Sequence, residues 1–123
     1  MQTVPSSLRK WFTIHFIVDM LFAIPLFIAP SFVLSLFGFE GVVTARLVAA
    51  AFIAIGGSSL ILNKKGFETY NTLLTLKIIW SITALLGLIL SFIGGAPPSI
   101  FLAIGIFAIF CYIWVYYKMK YFK

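Results

Sequence analysis

His15 and Asp19 are the first residues of this sequence whose types and spacing could support chemistry. They lie four positions apart in an otherwise apolar run that extends from Trp11 to Leu26. In an α-helix, residues at i and i+4 share a face, so the imidazole can donate a hydrogen bond to the carboxylate. Ionisable residues inside apolar helices tend to mark pathways and relays, and the two side chains are therefore a candidate functional pair.

Lys77 and Ser81 add polar side chains to a second apolar segment. Asp19 lies about eight residues, or ~12 Å along a helix, after the start of the first apolar segment of the chain. Lys77 lies about seven residues after the start of the third apolar segment. If the chain crosses a membrane at each segment, the first and the third begin on the same side of it. The matched depth makes an ion pair between Asp19 and Lys77 geometrically possible, while His15 could donate to Asp19 or face the cytoplasmic interface. We predict a structural network, a site or path for a ligand, lipid headgroup or proton, or exposure at the interface.

The cost of placing Asp19 in a membrane does not by itself require a function. A carboxylate at the middle of a spanning helix costs ~3 kcal/mol, whereas each Leu, Ile, Phe or Val residue returns ~0.3 to 0.6 kcal/mol. The first apolar segment is rich enough in these residues to carry the charge.

Composition places these residues in lipid. The chain of 123 residues is 63% hydrophobic and only 10% charged, with a mean hydropathy of +1.14. Soluble domains are about half apolar and about a quarter charged. The net charge of +6 comes from cations that flank the apolar segments. This placement indicates anchoring at a membrane surface and excludes nucleic acid as a partner.

Four apolar segments are long enough to cross a bilayer, which requires about 20 residues. They predict spans at about residues 9–29, 42–62, 70–93 and 100–117, and the shorter segment 31–39 predicts an interfacial helix. The expected fold is all-α: a four-transmembrane-helix bundle with a short interfacial helix between spans 1 and 2. We expect a single integral membrane domain over residues 1–123.

The cations also predict the orientation of the chain. With four spans, most of them fall on one side of the membrane, and Arg46 alone flanks the other side. The larger group comprises Arg9, Lys10, Lys64, Lys65, Lys118, Lys120 and Lys123. By the positive-inside rule, both termini of this multi-pass protein are cytoplasmic, in a cell membrane.

Arg46 lies about one turn into the second span, near Glu40, in the half facing away from the cytoplasm. It could snorkel or form a local salt bridge with Glu40, or it could bind an outer-leaflet phosphate or a substrate anion. One His, one Cys and three acidic residues do not supply the three or four ligands of a metal site. We therefore predict no catalytic residue, metal or cofactor.

A resemblance to known proteins covers about the first half of the chain. Its residues are Ala29-Pro30, Leu36-Phe37-Gly38, and the run from Ala45 to Ala50 that leads to Gly56. This pattern resembles small four-helix integral membrane proteins of DoxX-like type and related uncharacterised families. The resemblance implies a four-helix bundle and an accessory role in a membrane complex.

The expected function is that of a non-enzymatic accessory or scaffold subunit, or a lipid-binding module. Its partners would be membrane lipids and either further copies of the chain or another membrane protein. The alternative is a small transporter or channel, which could be a homodimer, with Asp19, His15 and Lys77 on its path. Four spans with an acid in the first also resemble small multidrug transporters. However, the acid here is Asp19 rather than glutamate, and Lys77 could neutralise it.

Overall fold

The computed structural model of the protein describes residues 3–122, which form five α-helices. They are α1 (Ser6–Ile28), α2 (Pro30–Phe37), α3 (Val42–Ile61), α4 (Phe67–Ile93) and α5 (Ile100–Tyr121). All but α2 are long enough and apolar enough to cross a membrane. The predicted class is confirmed: an all-α membrane fold with four transmembrane helices and a short helix between the first two. The chain is a multi-pass integral membrane protein.

The helices extend beyond the apolar segments from which the spans were predicted. α1 begins at Ser6 instead of residue 9, α4 at Phe67 instead of residue 70, and α5 ends at Tyr121 instead of residue 117. Backbone hydrogen bonding, not hydropathy, sets the end of a helix, so polar residues can continue it past the hydrocarbon. Glu68 in the first turn of α4 stabilises that extension because it faces the positive end of the helix dipole.

The chain forms two compact units, of which the first ends at Lys65 and contains α1, α2 and α3. Within it, α1 packs mainly against α3, and α2 contacts both. The pair is antiparallel: the start of α1 meets the chain just after α3 at Arg9 and Asn63, and the end of α1 meets the start of α3 at Phe27 and Arg46. This hairpin positions His15 and Asp19.

The second unit begins at Gly66 and contains α4 and α5, which pack against each other. Phe67 stacks on Phe122 with a centroid separation of 4.3 Å, and Phe92 meets Phe101 at 4.7 Å. Contacts between the start of one helix and the end of the other make this pair antiparallel as well. That the whole chain forms a single domain stays a prediction.

Gly38 ends α2 and permits the turn toward α3. Its φ of 72° lies in the left-handed region, which favours glycine. The N–H of Phe39 donates to the carbonyl of Leu34, and that of Gly38 to Ser35, as in a Schellman motif. With eight residues, α2 is too short to cross a bilayer.

Candidate functional site

His15 and Asp19 lie side by side on a buried stripe of α1. His15 Nδ1 is 3.4 Å from Asp19 Oδ2, and the two residues are 5% and 7% exposed. The stripe comprises Leu8, Phe12, His15, Asp19 and Ala23. Spacings of three and four residues place all of them on one helix face. An imidazole beside a carboxylate can hold or pass a proton, or can fix the carboxylate in place.

Gly56 of α3 lies directly against Asp19. A Cβ atom at Gly56 would come 2.8 Å from Asp19 Cβ, 2.9 Å from Asp19 Oδ2 and 3.2 Å from Met20 Cε. Real Cβ atoms essentially never come within 3.0 Å of another side chain, so a larger residue at this position would require Asp19 or its helix to shift. The same face of α3 buries Ala45, Ala49 and Ser59. Small residues let the two helix backbones come close, which replaces hydrophobic association in lipid.

A polar clamp joins the start of α1 to the loop after α3. The Arg9 guanidinium donates to the carbonyls of Asn63 and Lys65, the latter at 3.0 Å. Asn63 Nδ2 donates to Thr13 Oγ1 at 3.1 Å, and the Thr13 hydroxyl donates back to the Arg9 carbonyl at 3.2 Å. The clamp also places a cation near the negative end of the α3 dipole. It fixes the register in which Asp19 meets Gly56.

Arg46 has a backbone partner at the opposite end of the hairpin. Its Nε donates to the carbonyl of Phe27 at 3.3 Å. The carbonyls of the last helical turn lack partners within their own helix, so this bond satisfies one of them. Glu40 is exposed in the connection between α2 and α3. Its salt bridge with Arg46, and an anion bound by Arg46, stay predictions.

Lys77 and Ser81 share a face of α4 in the second unit. Each is only 1% exposed, and Lys77 Nζ lies 5.0 Å from the ring centroid of Trp114 on α5. A cation over an indole face is attracted by its quadrupole, and a desolvated pair of this kind is worth roughly 2 kcal/mol. Trp114 is itself fully buried. The contact gives the Lys77 charge a favourable environment within this helix pair.

A second clamp joins the start of α4 to the end of α5 through Lys118. The sequence alone indicates only a membrane anchor at this lysine. Lys118 Nζ donates to the side-chain and main-chain oxygens of Asn71, and to Thr75 Oγ1 at 2.8 Å. Asn71 and Thr75 lie one turn apart near the start of α4, and an antiparallel α5 brings its last turn to the same level. The spacing of four residues between Asn71 and Thr75 is the feature of the sequence from which this contact could have been predicted.

The structure thus places the predicted residues in two groups, His15 with Asp19 in the first unit and Lys77 with Ser81 in the second. The ion pair between Asp19 and Lys77 stays a prediction from depth. Across residues 3–122, no group of three His, Cys, Asp or Glu side chains could hold a metal ion. The polar chemistry that these groups offer is proton and hydrogen-bond exchange.

Comparison of the chain with protein-family models, with curated proteins and with solved structures finds no match. The resemblance to the DoxX-like families therefore stays a prediction, and function has to be argued from the helices and their contacts.

Proposed function

We propose that the protein is a non-enzymatic accessory or scaffold subunit, or a lipid-binding module, of a membrane complex. The observation that carries this proposal is the apolar surface of the long helices. In the most apolar stretch of each, at most 22% of the residues are buried. Lipid or the helices of a partner must cover the remainder.

The polar side chains support the same function because they serve the two helix pairs internally. Arg9 and Arg46 bind carbonyls within the first unit, and Lys118 binds oxygens of α4 within the second. Groups engaged in this way hold helices in register. A protein built to present rigid hairpins to neighbours in the bilayer needs this arrangement and needs no reactive group.

Site-specific cross-linking tests the proposal. A photoreactive amino acid is placed in turn at Leu47 and Leu86, which are 67% and 58% exposed, and at the fully buried Phe12 as a matched control. Cross-linking in membranes should join the exposed positions to one polypeptide of fixed mass, or to lipid, and leave position 12 unlinked. Native mass spectrometry of the parent should then show the same partner or retained lipid. A lone monomer without either would contradict the proposal.

A small transporter or channel is the second candidate, favoured by a specific observation. His15, Asp19 and Lys77 are each more than nine-tenths buried inside spanning helices, where ionisable residues commonly mark ion and proton paths. Purified protein in liposomes should then conduct protons or a cationic dye above the level of empty liposomes. Asp19→Asn preserves the shape of the side chain and should lower this flux. Equal flux in parent and variant would remove Asp19 from any path.

We also propose that both termini face the cytoplasm, as the distribution of cations indicates. In a Cys111→Ser background, single cysteines are introduced by Lys64→Cys and Ala96→Cys, in the loops after α3 and after α4. A membrane-impermeant maleimide added to intact cells should label position 96 and spare position 64 until the cells are opened. The reverse pattern would invert the proposed topology.

A further inference from the structure

The outer face of α5 carries a shallow open groove near the end of the helix. Its volume is about 360 Å³. The residues that line it are Tyr112, Val115, Tyr116, Met119 and Lys120. They lie opposite the buried face of α5, which contains Ile113, Trp114 and Tyr117. The groove is thus apolar along most of its length and cationic at one end.

Lys120 is held in position at that end while remaining exposed. Its Nζ donates to the Tyr116 hydroxyl at 2.8 Å and lies 5.2 Å and 5.4 Å from the ring centroids of Tyr116 and Tyr121. An ammonium group has three donors, so the bond to Tyr116 leaves two for another acceptor. The tyrosine rings orient the charge without neutralising it.

The surrounding charge favours an anion. Lys118 lies one turn after Val115 and is bound to Asn71 and Thr75. Among the residues that the structure describes, Lys120 is therefore the cation that this face presents. From residue 69 to residue 123 the sequence contains lysines but no Asp or Glu. The acid of this unit, Glu68, lies just outside that range in the first turn of α4 and forms no salt bridge with Lys120, so among the described residues no side-chain carboxylate satisfies Lys120.

We infer that the groove binds an anionic phospholipid, with its phosphate on Lys120 and an acyl chain along Tyr112, Val115 and Met119. From Lys120 back to Tyr112 the helix rises ~12 Å, toward its more apolar middle. The headgroup therefore lies at the cationic end of the groove, and the acyl chain runs along the apolar part toward the middle of the membrane. Basic residues beside a spanning helix recognise anionic lipids in this way. The site rests on the lipid-binding part of the proposed function and gives it a place and a ligand class.

Lipid titration of the full-length protein in detergent tests the site. The probes are dioleoyl phosphatidylglycerol and dioleoyl phosphatidylcholine, and bound lipid is counted by native mass spectrometry. The parent should bind the anionic lipid more tightly. Lys120→Gln should weaken that binding about fivefold, the effect of one basic residue at a lipid surface. Lys64→Gln removes an equal charge from the exposed loop after α3 and should leave the binding unchanged. Val115→Trp, which fills the groove, should weaken binding of both lipids.

Three results would overturn the site, and they are distinguishable. If Lys120→Gln and Lys64→Gln behave alike while the parent still prefers the anionic lipid, the protein binds lipid elsewhere. If the parent shows no preference, the anionic site fails; the lipid-binding part of the proposed function fails with it only if neither lipid is retained, and the scaffold part is judged by cross-linking. If inorganic phosphate displaces the lipid at equal concentration, the site recognises free phosphate and not a phospholipid.

Discussion

Gly56 on α3 and Asp19 on α1 approach so closely that a single added carbon atom would overlap. A Cβ at Gly56 would lie 2.8 Å from the Asp19 Cβ and 2.9 Å from its Oδ2. The buried position of the Asp19 carboxylate therefore depends on the lack of a side chain at Gly56. The approach sets the distance between the two helices at the depth where the first unit places its acid.

Gly56→Ala should destabilise the first unit. The new methyl group must push α1 away or displace Asp19, and overpacking of this kind costs about 1 to 3 kcal/mol. The measurement is the free energy of unfolding in mixed detergent micelles, followed by circular dichroism as the fraction of denaturing detergent rises.

Gly57→Ala is the matched control for that substitution. A Cβ at Gly57 meets nothing within 4 Å, so the new methyl group needs no adjustment. Alanine favours the helix over glycine by about 1 kcal/mol, and the variant should be as stable as the parent or slightly more so. If both alanine variants unfold with the parent, α1 and α3 do not pack through Gly56.

The contact between His15 and Asp19 should appear as coupling in a double-mutant cycle. The variants are His15→Phe, Asp19→Asn and their combination, measured by the same unfolding assay. Residues in direct contact couple by about 0.5 to 3 kcal/mol. Because the Nδ1 to Oδ2 distance is 3.4 Å, we expect a value near the lower end of that range.

A second cycle that pairs Asp19→Asn with Thr44→Ala provides the reference for this coupling. Thr44 lies twelve residues before Gly56 on α3, or ~18 Å along the helix from the level of Asp19. Its effect should add to that of Asp19→Asn within about 0.5 kcal/mol. Additivity in both cycles would mean that His15 and Asp19 are neighbours without interacting.

Hydropathy alone was sufficient to predict the helical class. In lipid every backbone polar group must be paired inside the protein, and a helix achieves this within one segment. The shared face of His15 and Asp19 likewise followed from their spacing of four. Both inferences use properties of a single helix, which the sequence specifies locally.

Contacts between helices were harder to predict from the sequence. Gly56 and Gly57 are adjacent and identical, and only the rotation of α3 against α1 decides which of them meets Asp19. For Arg46 the sequence indicates Glu40 or an anion as a partner, because charges are visible in a sequence, and both stay predictions. The partner found, the Phe27 carbonyl, becomes available only where α1 ends.

Arg9→Gln should expose the loop after α3 to protease. Without the guanidinium, the carbonyls of Asn63 and Lys65 lose their partner and the loop opens more often. Trypsin cleavage after Lys64 and Lys65, followed by mass spectrometry in detergent, should become several times faster. Lys10→Gln removes the neighbouring cation, which is exposed, and is the matched control. Trypsin should cleave this variant at the same rate as the parent. Equal rates for the two variants would show that the clamp does not restrain the loop.

Arg46→Gln should weaken the opposite end of the same hairpin through the loss of the bond to the Phe27 carbonyl. A hydrogen bond of this kind contributes about 0.5 to 1.5 kcal/mol, and because Arg46 is exposed we expect the lower half of that range. Arg46→Lys keeps the charge but not the Nε donor. The unfolding assay can therefore distinguish a bond from Arg46 to the Phe27 carbonyl from binding of a phosphate by Arg46. If the carbonyl bond matters, both variants lose stability in micelles of neutral detergent. If an outer-leaflet phosphate matters instead, the glutamine variant loses stability only when anionic lipid is present, and the lysine variant retains it.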